Sequence, residues 1–154
     1  MTKPNQHKRK LVKIWFELEP GAWHGSATET LWATPVGPNQ YRLENVPFFA
    51  FGVSWEDVVL AKQDGPQRVF VEVLWRGGHS TYRLLPVETW TESFDRYWAP
   101  LAAAGCTYEG GPARLRAVDV PPQADLHEVY EALKAGEAAG VWDFEEGHCG
   151  KAVA

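Results

Sequence analysis

The chain has 154 residues, 45% hydrophobic and 23% charged, the proportions of an ordinary soluble globular protein rather than a disordered or fibrous one. That length supports one domain with a core, or two small modules sharing one, and excludes two independent enzymes. A formal net charge of -5 argues against broad attraction to nucleic acid or an anionic membrane, and the basic run His7-Lys8-Arg9-Lys10, with Lys13, reads as a solvated tail.

Taken in chain order, the first element is a strand over 11–18, in which Val12, Ile14, Phe16 and Leu18 alternate with Lys13, Trp15 and Glu17. Pro20 to Ser26 reads as a loop and Thr28 to Thr34 as a second strand. A turn through Pro35-Val36-Gly37-Pro38-Asn39 leads to Gln40-Tyr41-Arg42-Leu43. The apolar stretch Asn45 to Gly52 contains Pro47, which cannot donate to a sheet ladder, so an edge strand or a buried crossing segment is expected. Short strands at Val58 to Ala61 and Val69 to Trp75 complete a small curled antiparallel sheet or barrel.

The second half has another rhythm. A strand over 81–85 is followed by the capping-box spacing Thr89-Trp90-Thr91-Glu92. Trp90, Phe94, Tyr97, Trp98 and Leu101 then fall on a helical stripe that Gly105 ends. Strands are expected at 106–108 and 114–120. A second helix begins at Asp125 and Glu128 with Leu126, Val129, Tyr130 and Leu133 on one face, and Val141 to Phe144 closes the chain as a strand. The order β-α-β-β-α-β is that of the ferredoxin-like fold. The fold class is therefore α+β, with a basic tail at 1–10, a barrel-like module at 11–76, a ferredoxin-like module at 77–148 and a tail at 149–154. Alternation puts Tyr82, Leu84, Leu115, Ala117, Trp142 and Phe144 toward the helices. It leaves Thr81, Arg83, Arg114, Arg116, Asp143 and Glu145 on the opposite face, with Leu85, Val118 and Val120 sharing that side.

No apolar run approaches the ~20 residues that span a bilayer and no signal-peptide core is present, so a cytoplasmic location and no membrane contact are expected. Cys106 and Cys149, without CxxC spacing, are expected as reduced thiols. The eight tryptophans supply rigid aromatic surface that can fill a core or make a binding face.

The patterns Leu31-Trp32-Ala33, Tyr41-Arg42-Leu43-Glu44-Asn45-Val46-Pro47-Phe48, Asp57-Val58-Val59, Gly78-His79-Ser80-Thr81 and Trp142-Asp143-Phe144-Glu145-Glu146-Gly147 resemble a bacterial family known as domain of unknown function 4265. The resemblance runs over roughly 11–148, implies a stand-alone bacterial cytoplasmic protein, and carries no activity with it.

The candidate chemistry centres on WRGGHSTYRL, residues 75–84. His79 beside Ser80 suggests a base and a hydroxyl nucleophile, but neighbours on a strand point to opposite faces and no GxSxG elbow exists. Gly77 and Gly78 with Arg76 and Arg83 could form an anion nest, although no helix starts there to complete a phosphate loop. His148 and Cys149, with Glu145, Glu146, Cys106 or His79, do not reach a converging set of four ligands, so no metal and no cofactor are expected. Asp143 and Glu145 are expected to pair with Arg83, Arg114 or Arg116 across strands.

With no complete catalytic constellation, the expected function is a non-catalytic bacterial binding protein. An inhibitor or immunity-type protein fits, masking a protein partner through an acidic and aromatic surface. Its binding residues are expected among Asn45, Asp57, Arg76, His79, Arg83, Trp142 and Glu145. The alternative is an enzyme or small-ligand protein with a cleft between the halves near His79, using His79, Ser80 and Glu145, with Asn45 orienting and Asp57 close by. Single-stranded RNA binding ranks behind both, because the sheet face offers arginines without an aromatic pair.

Overall fold

The computed structural model describes residues 10–87 and 92–150. Five strands, β1 (Val12–Glu17), β2 (Thr28–Gly37), β3 (Gln40–Leu43), β4 (Val58–Asp64) and β5 (Gln67–Trp75), form a closed barrel in sequence order. Consecutive strands pair antiparallel, whereas β1 and β5 pair parallel. This follows from the odd strand number, since the first and fifth strands of a meander run the same way. Alternation turns Val12, Ile14 and Phe16 of β1 and Leu31 and Ala33 of β2 into the barrel, where they pack with Leu43, Val53, Val59 and Ala61.

The chain between β3 and β4 is not an edge strand. It is the crossing segment, with Val46, Ala50 and Val53 buried and Pro47 free of any ladder. Glu29, in β2, fastens it: Oε2 accepts from Phe48 N at 2.6 Å, and Oε1 accepts from Phe49 N at 3.0 Å and Ala50 N at 2.8 Å.

After the barrel come β6 (Ser80–Pro86), α1 (Glu92–Ala103), β7 (Thr107–Gly110), β8 (Arg116–Val120), α2 (Leu126–Ala138) and β9 (Trp142–His148). The four strands make an antiparallel sheet in the order β7-β8-β6-β9. The two helices lie on one face, burying Phe94, Leu101, Val129 and Leu133 against Tyr82, Leu84, Val118, Val120 and Trp142. Asp125 caps α2, its Oδ1 accepting from His127 N at 3.0 Å and Glu128 N at 3.3 Å. Thr89, Trp90 and Thr91 of the capping-box spacing lie outside the described residues.

One strand differs in phase from expectation. The segment Pro112–Arg114 is a 3-10 turn with Ala113 and Arg114 at φ 52 and 64, so the strand begins at Arg116 rather than 114. Tyr82 is registered with Val118 and Leu84 with Arg116. Directly opposed residues share a face, so Val118 and Val120 meet the helices while Leu115, Ala117 and Asp119 turn the other way. Arg116 therefore sits on the helix side, its guanidinium 5.9 Å from the Phe94 ring centre and 5.6 Å from that of Tyr108.

The opposite face, expected as a partly polar open surface, is instead covered by the barrel. Thr81, Arg83, Ala117 and Asp119 are all buried there. The halves are stitched by Gly52 N to Gly147 O at 2.9 Å and by the Ser54 and Thr81 hydroxyls at 2.7 Å. Cys106 and Cys149 are free thiols, and among the described residues no helix is long and apolar enough to cross a membrane.

Candidate functional site

Two constellations lie along the seam between barrel and sheet. The first surrounds the Gly77-Gly78 join. Gly78, at φ 90, turns the chain out of the barrel, and Gly77 N donates to Asp57 Oδ1 at 2.9 Å. The buried Asp57 carboxylate also accepts from Ser54 N at 2.9 Å and from Arg76 at 3.0 Å, while the same Arg76 nitrogen donates to Gly52 O at 2.5 Å. Asp57 and Arg76 thus organise the turn that holds Glu56, the residue before Asp57, whose backbone is left-handed at φ 69.

His79 lies between two carboxylates. Its Nδ1 is 2.8 and 3.0 Å from the two oxygens of Asp119, and its Nε2 is 2.9 Å from Glu56 Oε2. The Asp119 and His79 side chains are 4% and 7% exposed, and that of Glu56 is 46% exposed, so the chain of contacts runs from the sheet interior to the surface. Both ring nitrogens face acceptors, which requires a second proton on the ring or one on a carboxyl. Burial raises the Asp119 pKa and the neighbouring His79 opposes the rise. The Trp55 ring lies 5.1 Å from that of His79, and the buried Trp55 indole N–H has no acceptor among the described residues.

Ser80 does not join His79. Its hydroxyl oxygen accepts from Gly150 N at 2.8 Å, and the side chain is buried. A nucleophile–base pair is absent among the described residues for the reason that strand alternation anticipates.

The second constellation centres on Arg83, 1% exposed on the barrel side of β6. It donates to the Ala50 carbonyl, reaches Glu145 Oε1 at 3.5 Å, and lies over the Phe51 ring at 4.9 Å. Its Nε–H has no acceptor among the described residues. Burial pulls the Arg83 pKa down, and the carboxylates of Glu145 and Glu29 pull it back. A cleft of about 180 Å³ opens beside it, walled by Trp23, Leu85, Leu115 and Phe144 and edged by Asp143 and Glu145. Trp23 Nε1 donates to Glu145 Oε2 at 3.3 Å. Trp23 and Phe51 are 55% and 57% exposed, and Phe49 packs edge-on to Trp23 and against His24.

The expected residues divide accordingly. Asp57, Arg76, His79 and Ser80 gather at the first constellation, and Arg83 and Glu145 at the second, where Arg83 and Glu145 are register partners. Asn45 is at neither, since its Oδ1 accepts from Trp32 N at 2.8 Å and extends the β2–β3 pairing. Trp142, expected at a binding surface, is 0% exposed in the helix–sheet core and donates its indole N–H to Leu133 O at 2.9 Å. The residues that sequence reasoning missed are Glu56, Asp119, Glu29, Trp23 and Phe51. Glu29 and Asp119 carried a signal: each is an acid on an apolar stripe, in line with Leu31 and Ala33 or with Leu115 and Ala117. Among the described residues no group of three or more His, Cys, Asp or Glu is placed to hold a metal ion.

No curated protein matches the chain. A crystal structure of a hypothetical protein from Neisseria gonorrhoeae superposes with a TM-score of 0.80 over 95% of this chain and 100% of that one, at 15% identity. At that identity the likeness concerns the fold alone. The family model described as Domain of unknown function (DUF4265) matches residues 29–144, a span from β2 into β9 that includes Glu56, His79, Asp119 and Arg83 but not Trp23 or Glu145, and the chain belongs to that family.

Proposed function

We propose that the protein is a non-catalytic binding protein of the inhibitor or immunity type, bacterial and cytoplasmic, that engages a protein partner through the acidic, aromatic face around Arg83. The observation that carries this reading is the exposure of Trp23, more than half open beside Asp143 and Glu145, and of Phe51, as open against Arg83. Aromatic side chains left in water next to a cleft are the usual anchors of protein interfaces. Free Cys106 and Cys149 favour a reducing compartment. We also infer that the sheet half is ferredoxin-like, supported by the strand order β7-β8-β6-β9 and by both helices lying on one face.

The test compares native pull-downs made with wild type and with the W23A/F51A double variant. A protein retained by wild type and lost by the variant, with melting temperature preserved, supports the reading. Retention of no protein, or equal retention by both, refutes it.

A second reading, a small-ligand protein or enzyme at the seam near His79, is favoured by the Asp119–His79–Glu56 chain, which connects a buried acid to a half-exposed one. Its test is a melting-shift screen against a metabolite panel. A stabiliser whose effect survives in W23A/F51A and disappears in H79N would favour this reading over the first.

A further inference from the structure

We propose that the cleft beside Arg83 seats one lysine or arginine side chain of the partner. This rests on the docking reading above and deepens it by assigning the chemistry of the anchor.

Size decides first. At about 180 Å³ the cleft is smaller than the roughly 300–1,000 Å³ of small-molecule sites, and suits a single side chain. Its walls, Trp23, Leu85, Leu115 and Phe144, are apolar or aromatic, as the methylene stem of a long basic residue requires.

Charge decides the sign. Arg83 is the one cation lining the cleft, and it already has Glu145 at 3.5 Å and the field of the buried Glu29. Asp143 is exposed and has no hydrogen-bond or ion-pair partner among the described residues. Glu29, Asp143 and Glu145 outnumber the single guanidinium, so an incoming anion would be repelled and a cationic head attracted. The face of Trp23 adds to the attraction when such a head lies over it.

A cationic head on an apolar stem describes a basic side chain.

The Trp23 indole N–H, followed by NMR, provides the assay, with N-acetyl-arginine-methylamide and N-acetyl-lysine-methylamide as probes and N-acetyl-citrulline-methylamide as the neutral isostere. A saturable shift with the basic probes is expected, with citrulline at least about tenfold weaker. Asp143→Asn should weaken the basic probes about three- to tenfold without changing the melting temperature. No saturable shift, equal binding of citrulline, or an unaffected D143N variant overturns the proposal. If the probes fail while W23A/F51A still abolishes partner capture, the docking reading survives and the basic anchor falls. Probe binding without any partner capture would leave the anchor chemistry standing and remove the protein partner.

Discussion

Glu29→Gln isolates what a buried carboxylate does for the face that carries Trp23 and Phe51. In the native protein Glu29 accepts three backbone N–H bonds, from Phe48, Phe49 and Ala50. The glutamine oxygen can take the place of Oε1 and keep the bonds to Phe49 and Ala50, but as neutral bonds, each weaker by about 0.5–1 kcal/mol. The new NH2 then faces the Phe48 N–H, donor against donor. Losing that bond and leaving the amide unsatisfied costs about 1–3 kcal/mol more. The expected total is about 2–5 kcal/mol, or a fall of about 4–20 °C in Tm for a domain of this size. The control is Glu19→Gln, an exposed carboxylate whose loss should change stability by less than about 0.5 kcal/mol. Urea denaturation of the two variants, followed by tryptophan fluorescence, makes the comparison. A Glu29→Gln protein as stable as Glu19→Gln would falsify the argument that Glu29 holds the crossing segment in place.

Gly136→Ala, in the last turn of α2, should destabilise by about 2 kcal/mol or more although alanine is the better helix former by up to about 1 kcal/mol, because its Cβ would overlap Cε2 and Cζ2 of the buried Trp142 indole; calorimetry showing a gain in Tm would contradict this. Native protein should react with Ellman's reagent more slowly at Cys106 than at Cys149, since burial pushes the Cys106 thiol up to about 12, and denaturant should erase the difference. That raised pKa also stabilises the fold fully below the ordinary thiol range and loses the contribution as pH rises through about 12, so alkaline melting curves of Cys106→Ala should flatten relative to wild type. His79→Asn should cost about 2–4 kcal/mol near pH 7 by leaving Asp119 buried beside a weaker partner. Because the folded-state pKa of Asp119 is raised, its contribution is complete below the ordinary carboxylate range and lost as pH rises through the raised value, so the gap between variant and wild type should narrow toward about pH 4.

Local periodicity determined much of this protein. The alternation of Val12, Ile14 and Phe16, the turns at Pro38-Asn39 and Gly65, and the helical stripe of Val129 and Leu133 are each readable within a few residues, because strand and helix periods act over that range. The β8 face was not readable that way. Leu115 and Ala117 on one side and Val118 and Val120 on the other make both faces apolar, so alternation could not choose between them, and only the register with β6 did. The candidate sites depended on tertiary structure still more. WRGGHSTYRL showed a histidine after two glycines, but its carboxylate partners stand 23 and 40 residues away in the chain, at Glu56 and Asp119. Likewise Arg83 met Glu145 because β6 and β9 are neighbours, whereas Trp23 reached their cleft and Phe51 the Arg83 guanidinium on segments that carry no periodic signal. Sequence by itself determined which segments would be strands and helices and that an acidic, tryptophan-rich chain had aromatic surface to place. The packing of barrel on sheet alone decided which acids were buried and which aromatics stayed in water, because burial and charge pairing are set by contacts between segments distant in the chain.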